Sequence, residues 1–287
     1  MTEKPTIAAH AVQAGLKMVP GVKNIIAIAS GKGGVGKSTV AVNLALALKE
    51  EGARVGLLDA DIYGPSQPLM LGVGEERPLT RDNKMLPITK LGLQSMSIGY
   101  LVDEQTPMVW RGPMVSMALQ QMLNDTAWDD LDFLIIDLPP GTGDIQLTLA
   151  QKVPVTAAII VTTPQDIALL DARRAIEMFS KVRVSVLGII ENMSMHICSQ
   201  CGHADPLFGT GGGERIAAQY EVGLLGSVPL QREIREQVDA GLPSVAQNPD
   251  SVISKVFRDI AKKMMEKLSQ QPKNYASKFP KITIKHD

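Results

Sequence analysis

The chain of 287 residues is long enough to bury a substantial core, either as one large α/β domain or as two small ones. Its 29 basic and 30 acidic residues give a formal net charge of −1, so the sequence as a whole offers no electrostatic attraction to nucleic acid or to an anionic membrane. Residues 1–21 lack the basic and apolar regions of a secretory signal, and no apolar run has the length of a membrane span. We therefore expect a cytoplasmic protein with no nucleic-acid partner and no stable membrane association.

Short aliphatic runs alternate with helix-forming segments along the chain, which is the pattern of a parallel sheet flanked by helices. We predict a doubly wound α/β fold with a mostly parallel sheet in one domain at 22–269, preceded by an N-terminal segment at 1–21 and followed by a tail at 270–287. The predicted strands are residues 24–30, 54–59, 133–137, 157–162, 184–191 and 223–228. The predicted helices are residues 38–51, 114–123, 166–181, 232–240 and 251–268.

Residues 31–39 fit the phosphate-binding pattern G-x-x-x-x-G-K-[ST] of P-loop NTPases, between a predicted strand and a predicted helix. Glycines allow a tight turn whose backbone N–H groups converge on phosphate oxygens, and the helix N-terminus adds a favourable dipole. We expect Lys37 to reach the β- and γ-phosphates of ATP and the Ser38 hydroxyl to bind Mg²⁺. The predicted nucleotide-binding residues of this loop are Gly31, Lys32, Gly33, Gly34, Val35, Gly36, Lys37, Ser38 and Thr39.

Aspartates stand at the ends of two further predicted strands. Asp59 and Asp61 end or follow the second strand, and Asp137 ends the strand at 133–137. An apolar run that ends in aspartate is typical of a Walker B element, whose carboxylate holds Mg²⁺ or its water shell, and we assign that role to Asp137. Asp144 is predicted to be the N-cap of the helix that follows.

Cys198 and Cys201 are the only two cysteines, and they follow the predicted strand at 184–191 in what we expect to be an exposed loop. Two thiolates per chain in a two-fold dimer add up to the four ligands of a [4Fe–4S] or [2Fe–2S] cluster. Zinc bound within one chain, with His196 and His203 as further ligands, is an alternative, although four ligands so close in sequence would have to wrap one ion tightly. A structural or redox role of the thiol pair is also open.

Residues 32–38 match the pattern K-G-G-x-G-K-[ST], and the chain here resembles the deviant Walker A ATPases, the group that includes MinD, ParA and the nitrogenase iron protein. Further runs are similar to the Mrp/ApbC branch of iron–sulfur cluster carrier ATPases, and the similarity extends over about 21–268. Those runs are 59–66 (DADIYGPS), 110–113 (WRGP), 137–144 (DLPPGTGD) and 191–194 (ENMS), followed by the C-x-x-C pair.

The resemblance implies an ATP-binding and ATP-hydrolysing carrier that works as a homodimer. Cys198 and Cys201 match the ligands of its cluster, which is expected to be of the [4Fe–4S] type and to bridge the dimer. The implied partners are a cluster assembly scaffold and the apo iron–sulfur proteins that receive the cluster. Lys32 would act in trans on the partner's phosphates, where positive charge stabilises the transition state.

The same resemblance implies roles for several polar residues. Asp61 would orient the attacking water, Asp59 would support the Mg²⁺ shell beside Ser38 and Asp137, and residues 141–143 would form a second switch. Asn192 matches the asparagine that contacts adenine. The expected catalytic residues are Lys32, Lys37 and Asp61.

Two other functions use the same ATPase core. One is a MinD- or ParA-like partitioning ATPase, and the other is a zinc or nickel metallochaperone. The apolar face of the helix at 252–268 could bind a membrane in the first case, but packing on the domain is the more ordinary expectation. Trp110 and Arg111 could form a patch for a partner or belong to the core.

Overall fold

The structure is a computed structural model that describes residues 6–102 and 112–274. Its strands, in chain order, are β1 (Val22–Ala29), β2 (Val55–Asp59), β3 (Thr80–Arg81), β4 (Lys84–Met85), β5 (Ile88–Lys90), β6 (Leu93–Ser97), β7 (Leu131–Asp137), β8 (Ala157–Thr162), β9 (Ser185–Ile197), β10 (Ala204–Asp205) and β11 (Gly223–Leu230). Its helices are α1 (Lys37–Glu50), α2 (Gln67–Met70), α3 (Gly112–Asn124), α4 (Asp144–Lys152), α5 (Asp166–Lys181), α6 (Gly212–Gln219), α7 (Arg232–Asp239), α8 (Ser244–Gln247) and α9 (Val252–Ser269).

A nine-stranded sheet forms the centre of the described part of the chain. Its strands follow the order β10-β9-β8-β1-β7-β2-β6-β5, and β11 pairs with β9. All pairs among β1, β2, β6, β7, β8, β9 and β11 are parallel, whereas β5 and β10 run antiparallel to their neighbours. The chain passes from β1 to β2 on one side and later returns to β8 on the other, so the carboxyl end of β1 lies at a switch point of the topology, where such sheets bind ligands. The predicted doubly wound, mostly parallel α/β fold is confirmed.

The central strands owe their position to near-continuous apolar sequence. Every residue of β2, β7 and β8 is buried, as expected of strands that are covered on both faces. On α9, the apolar face with Phe257, Ile260 and Met264 is buried, and the helix lies against α1 and β11. The expectation that this helix packs on the domain is therefore confirmed. Across the described residues, no helix combines the length and the hydropathy needed to cross a bilayer.

The polar residues explain where the predicted strands differ from the observed ones. β6 was not predicted, because its sequence LQSMS contains two serines, yet Ser95 and Ser97 are buried and hydrogen-bonded. β9 continues to Ile197, beyond the predicted end at 191, and Asn192 is one of the polar residues that interrupt its apolar pattern. Hydrogen bonds to neighbouring strands can extend a strand where side-chain pattern alone would end it.

The segment before β1 pairs with the segment after α9. His10 is buried, and its backbone N and its Nδ1 lie 3.0 and 2.9 Å from Oδ1 of Asn24 in β1. The backbone N–H of Ala11 donates to the carbonyl of Pro272 at 2.9 Å, and that of Asn274 donates to the carbonyl of Ala9. The two terminal segments are thus joined to the domain where they are described, while the boundaries at 21 and 270 stay predictions.

Candidate functional site

The glycine-rich loop connects β1 to α1, which begins at Lys37. Gly34 and Gly36 have φ of +79° and +77°, a conformation that residues with a Cβ rarely adopt, so the turn requires glycine at both positions. A Cβ at Gly31 would lie 2.1 Å from the carbonyl oxygen of Asp171, so the loop packs directly on α5. Beside the loop lies a cavity of about 240 Å³, lined by residues 32–39 together with Ser30, Asp61, Ser66, Met70 and Pro140.

The lysine that was predicted to bind phosphate lines this cavity and is paired with the aspartate that was predicted to hold Mg²⁺. Lys37 Nζ forms an ion pair with Asp137, and both side chains are buried. Lys37 Nζ also lies 3.4 Å from Ser38 Oγ. Each member of a buried ion pair depends on its partner, because an unpaired charge in that position would be costly. The structure therefore brings together three residues that the sequence analysis assigned to phosphate and Mg²⁺.

Gln67 is a residue of the site that the sequence analysis missed. Its Nε2 donates to Asp137 Oδ2 at 2.9 Å and to the carbonyl of Ser38 at 3.0 Å. Gln67 directly follows the run at 59–66 and precedes Pro68, which favours the first turn of a helix, and that was the available signal. The buried amide of Gln67 therefore connects the start of α1 to the end of β7.

The oxygen atoms of the residues around Asp137 are suitable ligands for a hydrated Mg²⁺ ion. Within the described residues, Gln67 Oε1 and Ser66 Oγ are buried and have no hydrogen-bond partner. The Gln67 amide donates to Asp137 and to the backbone carbonyl of Ser38, and Ser66 lines the same cavity as Ser38. Oxygen atoms are the ligands that Mg²⁺ prefers, and Mg²⁺ usually keeps several waters that could satisfy such buried groups.

Asp59 organises the segment that follows β2. Its carboxylate accepts hydrogen bonds from the backbone N–H groups of Asp61, Ser66 and Gln67 at 3.2, 3.0 and 3.1 Å, and from the hydroxyl of Ser97 at 3.1 Å. Ser97 was also missed by the sequence analysis, because the strand that carries it was not predicted. Since both oxygens of Asp59 are engaged in holding this loop, its contribution to the Mg²⁺ shell stays a prediction.

Asp59, the last residue of β2, and Asp61, which follows the strand, both have raised pKa values. Burial, together with the neighbouring carboxylate of Asp137, raises the pKa of Asp59 to about 7. Burial also raises the pKa of Asp61, although the positive charge of Lys37 lowers it. Asp61 lines the cavity, whereas Asp59 is fully buried. The water-orienting role of Asp61 is compatible with this position and stays a prediction.

The segment after β7 lies over the glycine-rich loop. Gly141 has φ of +102°, and its backbone N–H donates to the carbonyl of Ser30 at 3.0 Å. Helix α4 begins at Asp144, and Gly143 occupies the N-cap position with extended backbone angles. The prediction that Asp144 is the N-cap is therefore wrong by one residue, since a glycine can also serve as N-cap.

Three further residues that were predicted to bind nucleotide, Lys32, Thr39 and Asn192, lie in or near the glycine-rich loop. The carbonyl of Lys32 accepts a hydrogen bond from Ser30 Oγ at 2.9 Å, and the carbonyl of Thr39 accepts one from Asn43 at 2.9 Å. Asn192 is buried, and its Nδ2 donates to the carbonyl of Val35 at 2.8 Å. Asn192 thus contacts the glycine-rich loop, and its contact with adenine stays a prediction. The action of Lys32 on the phosphates of a partner chain also stays a prediction. Trp110 and Arg111 lie outside the described residues.

The two cysteines occupy the turn of a hairpin at the end of β9. Strands β9 and β10 pair antiparallel, with Ile197 opposite Ala204. The backbone N–H of Cys198 donates to the carbonyl of His203 at 2.9 Å, and that of Gly202 donates to the carbonyl of Cys198 at 2.9 Å. Cys198 is half-buried and Cys201 is exposed, so the prediction of an exposed loop is confirmed.

The backbone of the turn favours the thiolate form of Cys198, which is the form that binds metals. Hydrogen bonds from the backbone N–H groups of Cys201 and Gln200 lower the pKa of the Cys198 thiol. In residues 6–102 and 112–274, no three or more His, Cys, Asp and Glu side chains are arranged to hold a metal ion. His196 and His203 therefore do not complete a zinc site with the cysteines in this structure. Two thiols would be half of the ligands that a four-coordinate metal site requires.

Comparisons with known proteins show which family the chain is similar to. A family profile described as ParA, NUBPL iron-transfer P-loop NTPase, matches residues 21–265. An iron–sulfur cluster carrier protein of Pseudomonas fragi is 62% identical over 257 residues, which cover 89% of this chain and 90% of that protein.

Two solved structures share the fold. The nucleotide-binding protein of Archaeoglobus fulgidus in complex with ADP superposes with a TM-score of 0.72 at 34% identity, over 83% of this chain and 93% of that one. The cell division ATPase MinD of Pyrococcus furiosus superposes with a TM-score of 0.61 at 25% identity, over 85% of this chain and 98% of that one. The chain belongs to the ParA-type family of NUBPL iron-transfer P-loop NTPases.

Proposed function

We propose that this chain is an ATP-hydrolysing iron–sulfur cluster carrier, in which two copies share one cluster and deliver it to apo iron–sulfur proteins. The observation that carries the proposal is the exposed turn at the end of β9, where the two thiols of one chain could supply half of a metal site and, within the described residues, no third metal-binding side chain joins them. A second copy related by two-fold symmetry would supply the other half. Support also comes from the relative of Pseudomonas fragi, which is named an iron–sulfur cluster carrier protein.

The nucleotide site has the groups that ATP hydrolysis needs. Lys37 would bind the phosphates, Ser38 and Asp137 would hold Mg²⁺, and Mg²⁺ would neutralise phosphate charge. Asp61 lines the cavity and would orient the attacking water. Lys32 would reach the phosphates of the partner copy, so that hydrolysis requires the closed dimer.

The charge balance of the site gives a reason for nucleotide binding to change the protein. Asp137 is the counter-ion of Lys37 in the structure. Phosphate oxygens would compete with Asp137 for Lys37, and Asp137 would then be available to Mg²⁺. We propose that this exchange of partners, together with residues 141–143, closes the dimer and alters how firmly the cluster is held.

Anaerobic reconstitution with iron and sulfide tests the proposal. The wild-type chain should acquire visible absorption of an iron–sulfur cluster and equal amounts of iron and sulfide, whereas a Cys198→Ser/Cys201→Ser variant should acquire neither. ATP hydrolysis by the double variant should persist. The matched control is Ser199→Ala, which changes the same turn without removing a thiol.

Other outcomes would point to the alternatives. Zinc or nickel bound without sulfide would favour a metallochaperone. Unchanged biological activity of the double cysteine variant would favour a partitioning ATPase, because that function has no need of the thiols. Either outcome would contradict the cluster-carrier proposal.

A further inference from the structure

Strand β9 connects the nucleotide loop directly to the cysteine turn. The Asn192 side chain in this strand donates to the carbonyl of Val35 in the glycine-rich loop at 2.8 Å. The same strand ends at Ile197, immediately before Cys198. A single backbone segment therefore contacts the phosphate-binding loop at one point and carries a predicted cluster ligand at its end.

The contact between β9 and the loop is tight. A Cβ added to Gly36 would lie 2.3 Å from Asn192 Nδ2, so nothing larger than glycine fits there without displacing the asparagine. The same Cβ would lie 3.6 Å from Met193 Cε. A shift of the loop at Val35 or Gly36 towards β9 would therefore act on Asn192 and Met193.

The strand is irregular at this contact. Met193 has φ of +55°, which is unfavourable for a residue with a Cβ. The pairing of β9 with β11 also shifts here, since Asn192 is opposite Val228 whereas His196 is opposite Leu230. More residues of β9 than of β11 lie between these two pairs, which defines a bulge at residues 193–195.

Hydrogen bonds hold the bulge on both sides. Asn192 is bonded to Val35 as described, and Ser194 Oγ donates to the carbonyl of Val228 at 3.1 Å. A residue such as Met193 keeps a positive φ only while its surroundings enforce it. A change in one of these contacts would allow the backbone at Met193 to leave this strained conformation, and the hairpin with the cysteines follows directly along the same strand.

We infer that the bulge at residues 193–195 couples the nucleotide loop to the cysteine turn, with Met193 as the hinge. The inference rests on the proposed function, because it concerns how ATP regulates the cluster site. Nucleotide is held by the backbone N–H groups of the loop, so its binding acts on the peptide units around Val35 and through Asn192 on the bulge. Because the backbone of Met193 is strained, that displacement would shift the cysteine hairpin between two alternative positions.

Replacing Met193 with glycine tests the hinge. Glycine adopts positive and negative φ at similar cost, so in Met193→Gly the bulge would absorb the displacement instead of passing it on. The nucleotide loop and both cysteines are unchanged in this variant. Glu221→Gly is the matched control, because Glu221 is exposed and has φ of +53° in the turn between α6 and β11.

The first readout is amide hydrogen exchange of the cluster-free protein, with and without a non-hydrolysable ATP analogue and Mg²⁺. In the wild type and in Glu221→Gly, nucleotide should change exchange at Cys198 and Gly202, whose N–H groups are bonded within the turn, by about fivefold or more. In Met193→Gly the change should fall below about twofold, while the affinity for the analogue stays within about twofold. The inference would be overturned if nucleotide left amide exchange in the wild-type turn unchanged. It would also be overturned if nucleotide changed exchange in Met193→Gly as much as in the wild type.

The second readout is cluster transfer from the reconstituted protein to an apo-ferredoxin. The ratio of transfer rates with and without ATP should move towards one in Met193→Gly and keep its wild-type value in Glu221→Gly. If the wild type takes up no cluster, the proposed function fails and the exchange measurement still decides the inference. If the wild type takes up a cluster and Met193→Gly keeps the wild-type ratio, the inference fails and the proposed function stands.

Discussion

Lys37 and Asp137 form a buried ion pair across the nucleotide site, although the sequence analysis assigned one to phosphate and the other to Mg²⁺. The pair keeps both charges compensated when no ligand is bound. If these residues bind phosphate and Mg²⁺ as proposed, ligand binding and the stability of the site are linked.

Replacing Asp137 with asparagine should leave the buried ammonium of Lys37 without a counter-ion. We expect the free energy of unfolding to fall by about 3 kcal/mol in the absence of ligand, as for other buried pairs that lose one member. Mg²⁺-dependent ATP hydrolysis should fall by at least about 100-fold, because the carboxylate no longer holds the metal. Chemical denaturation and a steady-state ATPase assay measure the two effects.

Asp239→Asn is the control for this variant, since Asp239 forms an exposed ion pair with Arg235. Its effect on the free energy of unfolding should stay within about 0.5 kcal/mol. An Asp137→Asn protein as stable and as active as the wild type would contradict the assigned role of Asp137.

Gln67→Leu tests the amide that joins Asp137 to Ser38. The variant removes both hydrogen bonds while roughly keeping the side-chain volume, so the Mg²⁺ concentration that gives half-maximal ATPase activity should rise about tenfold. ATP binding measured without Mg²⁺ should change little. Gln94→Leu is the control, because it removes a half-buried amide that also makes two hydrogen bonds, here with the backbone of Asp129. An unaltered Mg²⁺ requirement in Gln67→Leu would show that this amide does not position the metal ligands.

The paired variant His196→Ala/His203→Ala separates cluster ligation from zinc ligation. Neither histidine joins the cysteines in a metal site within the described residues, and the His203 group that contacts Cys198 is its backbone carbonyl. Iron and sulfide content after reconstitution should therefore stay within about twofold of wild type. Loss of all bound metal in the double variant would instead favour a single-chain site that includes the imidazoles.

Asp132 should make the stability of the fold depend on acid pH. Burial alone would raise the pKa of its carboxyl, but hydrogen bonds from Lys23 and from the backbone and side chain of Arg54 outweigh burial and lower that pKa. Its contribution is therefore complete above the unfolded-state pKa of about 4 and is lost as the pH falls through the lower folded-state value.

Asp132→Asn should lower the free energy of unfolding by about 1–2 kcal/mol at neutral pH, with the partial exposure of Lys23 limiting the effect. The difference between variant and wild type should shrink as the pH falls below about 4. Urea denaturation at several pH values measures it. A difference that is constant with pH would assign the effect to packing instead of charge.

The fold was predictable from sequence because its central strands are continuous apolar runs that end at chemically distinctive loops. The glycine-rich loop and Asp137 were found by the same route, since their residue types are needed at fixed positions. Gln67 and Ser97 were not found, because single polar residues acquire meaning only from the groups they meet in space. Met193 has no sequence signal either, since its backbone angle is set by tertiary contacts and not by its side chain.

In the proposed function, two chains share one cluster through two pairs of cysteines. Native mass spectrometry of the anaerobically reconstituted protein, with Mg²⁺ and a non-hydrolysable ATP analogue present, measures this directly. We expect a dimer that carries the added mass of one iron–sulfur cluster, and the loss of that cluster in Cys198→Ser/Cys201→Ser. A strictly monomeric protein, or one metal ion bound to each separate chain, would contradict it.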